Sequence, residues 1–110
     1  NMTFQLVKND TAPQVQATIT KSHDGSVVDL TGATVKLKFR AKGSTTTLFT
    51  LTGLNVPNTN FANGIVLFIF GTSNLDIDEG YYEGEVEITY DNGTVDTVYD
   101  VLNFRVRADF

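Results

Sequence analysis

Residues 78–94 constrain this chain more than any other segment. Within them Tyr82, Gly84, Val86, Ile88 and Tyr90 alternate with Glu83, Glu85, Glu87 and Thr89. Successive side chains of a strand point to opposite faces, so this spacing predicts a half-buried β-strand with one apolar and one acidic face. Asp78 and Gly80 stand just before it, as turn residues do. Asn92-Gly93 follows it, and Asn-Gly is the preferred pair for a tight type I′ hairpin, so an antiparallel return is expected there.

The rest of the chain reads as further strands. Residues 3–7 and 14–20 alternate, the second run with Val15, Ala17 and Ile19 on one face. Between them Asn9-Asp10-Thr11-Ala12-Pro13 should break pairing, and Asp24-Gly25 should end the second strand. Residues 34–40 place Val35, Leu37 and Phe39 inward and Lys36, Lys38 and Arg40 outward. A shorter strand over 48–51 and an Asn-rich loop over 55–63 come next. Residues 65–70 are apolar without interruption, which predicts cover on both faces from a neighbouring loop or a partner subunit. The hairpin should return through Val95 and Val98 to a last strand over 102–107, with Leu102, Phe104 and Val106 inward. No window sustains a helical period, and 110 residues at 41% hydrophobic content suit one all-β domain over 1–110.

Immunoglobulin-like sandwiches often enter a central strand through Asp-x-Gly-x-Tyr, where the tyrosine hydroxyl bonds back to upstream backbone and pins a corner. Asp78, Gly80 and Tyr82 carry that pattern. Disulfide-bearing members have a cysteine two residues later, but here Gly84 takes that place and the chain has no cysteine. The expected fold is therefore an immunoglobulin-like antiparallel β-sandwich of about seven to eight strands, without a disulfide and held by packing alone. In that order the strands over 34–40 and 102–107 flank the acidic strand. Lys36, Lys38 and Arg40 on one side and Arg105 and Arg107 on the other would face Glu83, Glu85 and Glu87, each opposite-charge pair adding about 0.2–1 kcal/mol.

A net charge of −5 and a pI near 4.5 argue against nucleic acid or an anionic membrane surface as partner, because both require a basic footprint. No apolar run nears the roughly 20 residues of a membrane span, and no cleavable signal pattern opens the sequence. Asn1 ahead of Met2 reads as a tag remnant, and the sequons at Asn1, Asn9 and Asn92 as chance patterns. The one histidine, His23, sits by the Asp24-Gly25 turn and reads as solvated; without cysteine it can build neither a His-rich zinc site nor a thiol nucleophile. Asp76, Asp78 and Glu79 offer calcium-type ligands but lack a glycine-punctuated Asp-x-Asp loop, so turn formation is the preferred reading. Glu83, Glu85 and Glu87 have basic residues beside them and read as a surface ladder, not a glycosidase pair. Tyr81 and Tyr99 are candidate exposed aromatics for stacking on a sugar or anchoring an interface, with core or rim packing the preferred role. No catalytic, metal or cofactor-binding residue is expected.

Residues 9–13, 29–35 and 80–86, followed by Asp91-Asn92-Gly93-Thr94, together and in this order resemble the immunoglobulin-like N-terminal domain of phage baseplate upper proteins and related siphophage tail components. That family often carries a tryptophan where this chain has Phe68 to Phe70. The resemblance implies a non-enzymatic structural component of a phage tail tip or baseplate. It would be made in the bacterial cytoplasm and carried in the virion, docking to other tail or baseplate proteins or to further copies of itself. The first and last strands are the expected docking edges, since an edge offers unpaired backbone groups. The alternative is a carbohydrate-binding or adhesin-type sandwich with an aromatic platform at a loop end. A small hydrolase would require a convergent acid/base pair that these residues do not supply.

Overall fold

The alternation over 82–90 is realised as a ten-residue strand, Gly80–Thr89, in the computed structural model, which describes residues 2–56, 60–97 and 101–108. The strands are β1 (Thr3–Val7), β2 (Gln14–Thr18), β3 (Thr34–Ala41), β4 (Phe49–Thr52), β5 (Ile65–Ile69), β6 (Gly80–Thr89), β7 (Val95–Thr97) and β8 (Leu102–Arg107), with a 3₁₀ turn at Phe61–Asn63. One sheet has the order β1-β8-β6-β3-β4, with β7 also on β6; the other is β2-β5. The chain is an immunoglobulin-like all-β sandwich.

The acidic strand is central, as expected. β6 pairs with β3 from Thr34↔Thr89 to Ala41↔Tyr82, and with β8 from Gly80↔Val106 to Gly84↔Leu102. β7 takes the remaining length of the same β6 edge, Glu87↔Thr97 to Thr89↔Val95. Val98 and Tyr99, expected near this return, lie outside the described residues, as does Asn1.

Two expectations about edges are corrected. β1 runs parallel to β8, from Thr3↔Asn103 to Val7↔Arg107, so the sandwich is not antiparallel throughout and the last strand is not an edge. β1 and β4 are the edges of that sheet. A parallel pair needs a long connection, and here nearly the whole domain lies between the two strands. After β1 the chain leaves this sheet through the predicted breaker, where Asn9 takes a left-handed φ of 68° and the Asp10 amide closes a turn onto the Val7 carbonyl at 3.1 Å.

The core lies between the sheets. Val35, Leu37 and Phe39 of β3, Tyr82, Val86 and Ile88 of β6, and Phe104 and Val106 of β8 face Val15 and Ala17 of β2 and Val66 and Phe68 of β5, all buried. Phe39 is the hub: its ring centroid lies 4.7 Å from Phe49, 5.1 Å from Phe104, 5.2 Å from Tyr82 and 5.7 Å from Phe70. Four buried hydrophobic residues lie outside the predicted strands, namely Val28, Leu30, Phe61 and Leu75. Phe61 is set by the Asn60 side chain, which accepts from the Ala62 amide at 2.9 Å, and its own carbonyl accepts from the Leu30 amide at 2.7 Å. The Asn-rich loop thus delivers a plug to the core.

Of the two covers expected for the second face of β5, a neighbouring loop does not supply it among the described residues. Val66, Phe68 and the following Phe70 are buried, but Ile65 and Leu67 are half-buried and Ile69 is 36% exposed. A strand in a two-stranded sheet has one face on the sandwich, and the described residues leave the other part-exposed.

The hairpin after β6 is also not the type expected. Tyr90 and Thr94 close a three-residue loop, with the Tyr90 amide on the Thr94 carbonyl at 2.8 Å and the Gly93 amide on the Tyr90 carbonyl at 2.9 Å. A type I′ turn needs positive φ at both central residues, whereas here Gly93 alone is left-handed, at 87°. Asn92 instead uses its side-chain oxygen to accept from the Thr94 amide at 2.9 Å. This is the pattern of a three-residue hairpin, in which only the last loop residue must be glycine.

The corner is formed as the sequence pattern requires. The Tyr82 hydroxyl donates to the Asp78 carbonyl at 2.5 Å, and Gly80 between them has a φ of 151°, open to glycine at little cost. Gly84 lies opposite Phe39, and a Cβ there would collide with Leu37 and come within 3.0 Å of Phe104.

Gly84→Ala should therefore cost about 1–3 kcal/mol, as overpacked cores do, read as a lower urea midpoint. Tyr82→Phe should cost about 1 kcal/mol at neutral pH by leaving the Asp78 carbonyl without its donor. Burial, with Asp78 adding to it, pushes the Tyr82 phenol above its ordinary value. The folded chain then keeps a proton that the unfolded chain loses near pH ~10. This contribution is intact below about pH 10 and is lost as pH rises through the raised folded value. The stability gap between wild type and Tyr82→Phe should accordingly narrow on titration into alkali, as followed by urea unfolding.

Candidate functional site

The outer face of the larger sheet carries its charge. Arg40 of β3 bridges two glutamates of β6, with Nη1 3.1 Å from Glu85 Oε2 and Nε 3.5 Å from Glu83 Oε1, while Lys38 Nζ lies 3.0 Å from Glu87 Oε2. The ladder places Arg40 opposite Glu83 and Lys38 opposite Glu85, so two of these contacts are diagonal. Diagonal neighbours are within reach of long side chains, and strand twist brings one diagonal closer. The Glu85 hydrogen bond raises the Arg40 guanidinium further above its already high value. On this side of the expected charge ladder Lys38 and Arg40 are paired, while Lys36, opposite Glu87, makes no ion pair among the described residues.

The other side is not formed. Arg105 and Arg107 of β8 do not face the glutamates: Glu83 stands opposite Asn103, and Arg105 opposite Tyr81. Alternation assigns each side chain to a face, but a shift by two residues preserves every face, so it leaves this slide open. Tyr81 is 57% exposed, and the Arg105 guanidinium carbon lies 5.3 Å from its ring centroid. Such a cation over an aromatic face contributes about 0.5–1 kcal/mol at an exposed site. Among the described residues neither Arg105 nor Arg107 pairs with a carboxylate.

Glu79, Tyr81, Arg105 and Arg107, with Gly80, Val106 and Ala108 beneath and beside them, line a surface depression of about 410 Å³. Its parity follows from the core: Tyr82 and Phe104 point inward, so Tyr81 and Arg105 must point out. The depression therefore sits on the back of the tyrosine corner. One signal for it was present in the sequence, because two consecutive strand tyrosines cannot share a face.

The other singled-out residues do not join it. Asn92 and Gly93 belong to the hairpin loop, and Asp78 serves the corner through its backbone carbonyl. His23 is exposed, with Nε2 3.4 Å from Asp24 Oδ2. Asp24 accepts from the Ser26 hydroxyl at 2.7 Å and amide at 2.9 Å, which holds its carboxyl below the usual range and closes the turn. Asp76, Asp78 and Glu79 do not converge: among the described residues no group of three or more potential ligands is placed to hold a metal ion.

No family model matches the chain, and no curated protein matches it. Among solved structures it is similar to murine CRIg, at 16% identity and a TM-score of 0.47, over 98% of this chain and 92% of that one. It is also similar to the PmoD soluble domain from Methylocystis sp. ATCC 49242 (Rockwell), at 16% identity and a TM-score of 0.43, over 94% of this chain and 77% of that one.

Arg40 holds two carboxylates while Lys38 holds one, so Arg40→Gln should cost about 1 kcal/mol and Lys38→Gln less than about 0.5 kcal/mol. Urea unfolding at low and high salt checks both, and the Arg40 effect should shrink as salt screens the pairs.

Proposed function

We propose that this domain is a non-enzymatic structural component of a phage tail tip or baseplate, an adaptor that docks to other tail proteins within the virion. The observation that carries the reading is the apolar row on the outside of the smaller sheet. Ile65, Leu67 and Ile69 line it, and Leu54, 37% exposed, extends it through a backbone bridge to Leu67. Gln14, Gln16 and Thr18 of β2 form a polar rim beside it. A contiguous apolar patch with a polar rim marks a surface that is covered in an assembly. The class of partner comes from the ordered sequence resemblance to baseplate and tail domains. A second reading, a carbohydrate-binding or adhesin-type module, is favoured by exposed Tyr81 above its depression, since a free aromatic face can stack on a sugar.

Crosslinking with mass spectrometry on purified phage particles from the source distinguishes the two. Crosslinks from the flanks of β5 to tail proteins are the expected result. Particles that contain the other tail proteins but lack this chain would remove the tail assignment, and saturable binding in a glycan screen would then install the second reading.

A further inference from the structure

On the outer face of the larger sheet Arg40 and Lys38 hold glutamates of β6, whereas Lys36, opposite Glu87, has no ion pair among the described residues. Arg105 and Arg107 also stand without a carboxylate partner among the described residues, and they do so together, two residues apart on one strand, in a chain whose net charge is −5. We infer that the depression formed by Glu79, Tyr81, Arg105 and Arg107 receives an extended acidic segment of a partner protein, with carboxylates at alternate positions held by the two arginines. The inference rests on the docking reading and names the chemistry of one partner surface, on the face opposite the apolar row of β5.

Spacing selects the ligand. Arg105 and Arg107 occupy positions i and i+2 of β8, about 6.6 Å apart along the strand, and an extended peptide repeats its own side chains at the same interval. Carboxylates two residues apart on such a segment meet both guanidinium forks in register, each as a bidentate pair. A single small anion would engage one fork and leave the other unused. The molecule already contains this arrangement, because Arg40 and Lys38, two residues apart on β3, hold Glu85 and Glu87, two residues apart on β6, at 3.1 and 3.0 Å.

The platform is rigid where the contact would form. β8 is paired on both sides, by β1 and β6, and buried Phe104 and Val106 anchor it from below. The Tyr81 ring under Arg105 orients that guanidinium before any ligand arrives, which reduces the ordering cost of binding. Glu79, one residue before Gly80, which pairs with Val106, lies at the Arg107 end of the depression, so Arg105 is the anchor farther from its repulsion.

The test is fluorescence anisotropy of the full chain with a labelled peptide in which three glutamates alternate with serine or threonine. Saturable binding below about 1 mM is expected, weakening as salt rises. Arg105→Gln and Arg107→Gln should each weaken it about tenfold, as loss of a charge-assisted pair does, with the melting temperature unchanged for exposed Arg107 and lowered by no more than a few degrees for Arg105, which also loses its contact with Tyr81. A peptide with its three glutamates each three residues apart has the same charge but turns successive carboxylates to opposite faces of an extended chain, and should bind several-fold more weakly. Equal binding of the two peptides, or undiminished binding by the double Arg→Gln variant, overturns the inference. So does saturable binding of polygalacturonate where the peptide fails to bind, which would make the site one for acidic sugars. Particle crosslinks confined to β5, with no peptide binding, would remove this site and leave the docking reading standing. Peptide binding by a chain absent from particles would do the reverse.

Discussion

Without a disulfide, the tie between the sheets is an aromatic one, and Phe39 is its centre. Phe49, Tyr82 and Phe104 bring rings to it from β4, β6 and β8, and Phe70, just past the end of β5, brings one from the other sheet. Each such pair adds about 0.5–1.5 kcal/mol beyond the area it buries. Phe70 also meets Phe49 and Phe104, each at 6.0 Å, so the cluster is closed and does not hang on one contact. Gly84 completes it by omission, since it leaves room for Leu37 and Phe104 where a side chain would intrude.

The surface inherits its layout from that cluster. Tyr82 is inward because its ring stacks on Phe39 and its hydroxyl reaches Asp78; strand parity then puts Tyr81 outward. Phe104 is inward for the same reason, which turns Arg105 and Arg107 out beside Tyr81. The depression proposed as a docking site is thus the reverse side of the packing that holds the corner.

Strand faces and the order β3-β6-β8 were legible in the sequence, because a two-residue period and a corner pattern are local signals. What escaped was set by distance along the chain. The partnership of β1 with β8 joins residues about a domain apart, and no local pattern encodes it. The slide of β8 that gives Arg105 to Tyr81 preserves every inward and outward assignment, so alternation is blind to it. Leu30, Phe61 and Leu75 were hidden because single apolar residues among Asn, Asp, Thr and Gly show no period, although each is buried. The hairpin dipeptide is ambiguous: Asn-Gly serves a two-residue loop, but Gly93 serves equally well as the left-handed third residue of a longer one.

The parallel pairing of β1 with β8 also decides how the domain answers tension. The start of β1 and the end of β8 lie at opposite ends of that ladder, which runs from Thr3↔Asn103 to Val7↔Arg107. A pull between those points acts along the strands, so the hydrogen bonds are loaded together in shear and do not open one at a time as a peeled hairpin does. A domain joined to its neighbours through these two strands would stay shut until the whole ladder gives way at once.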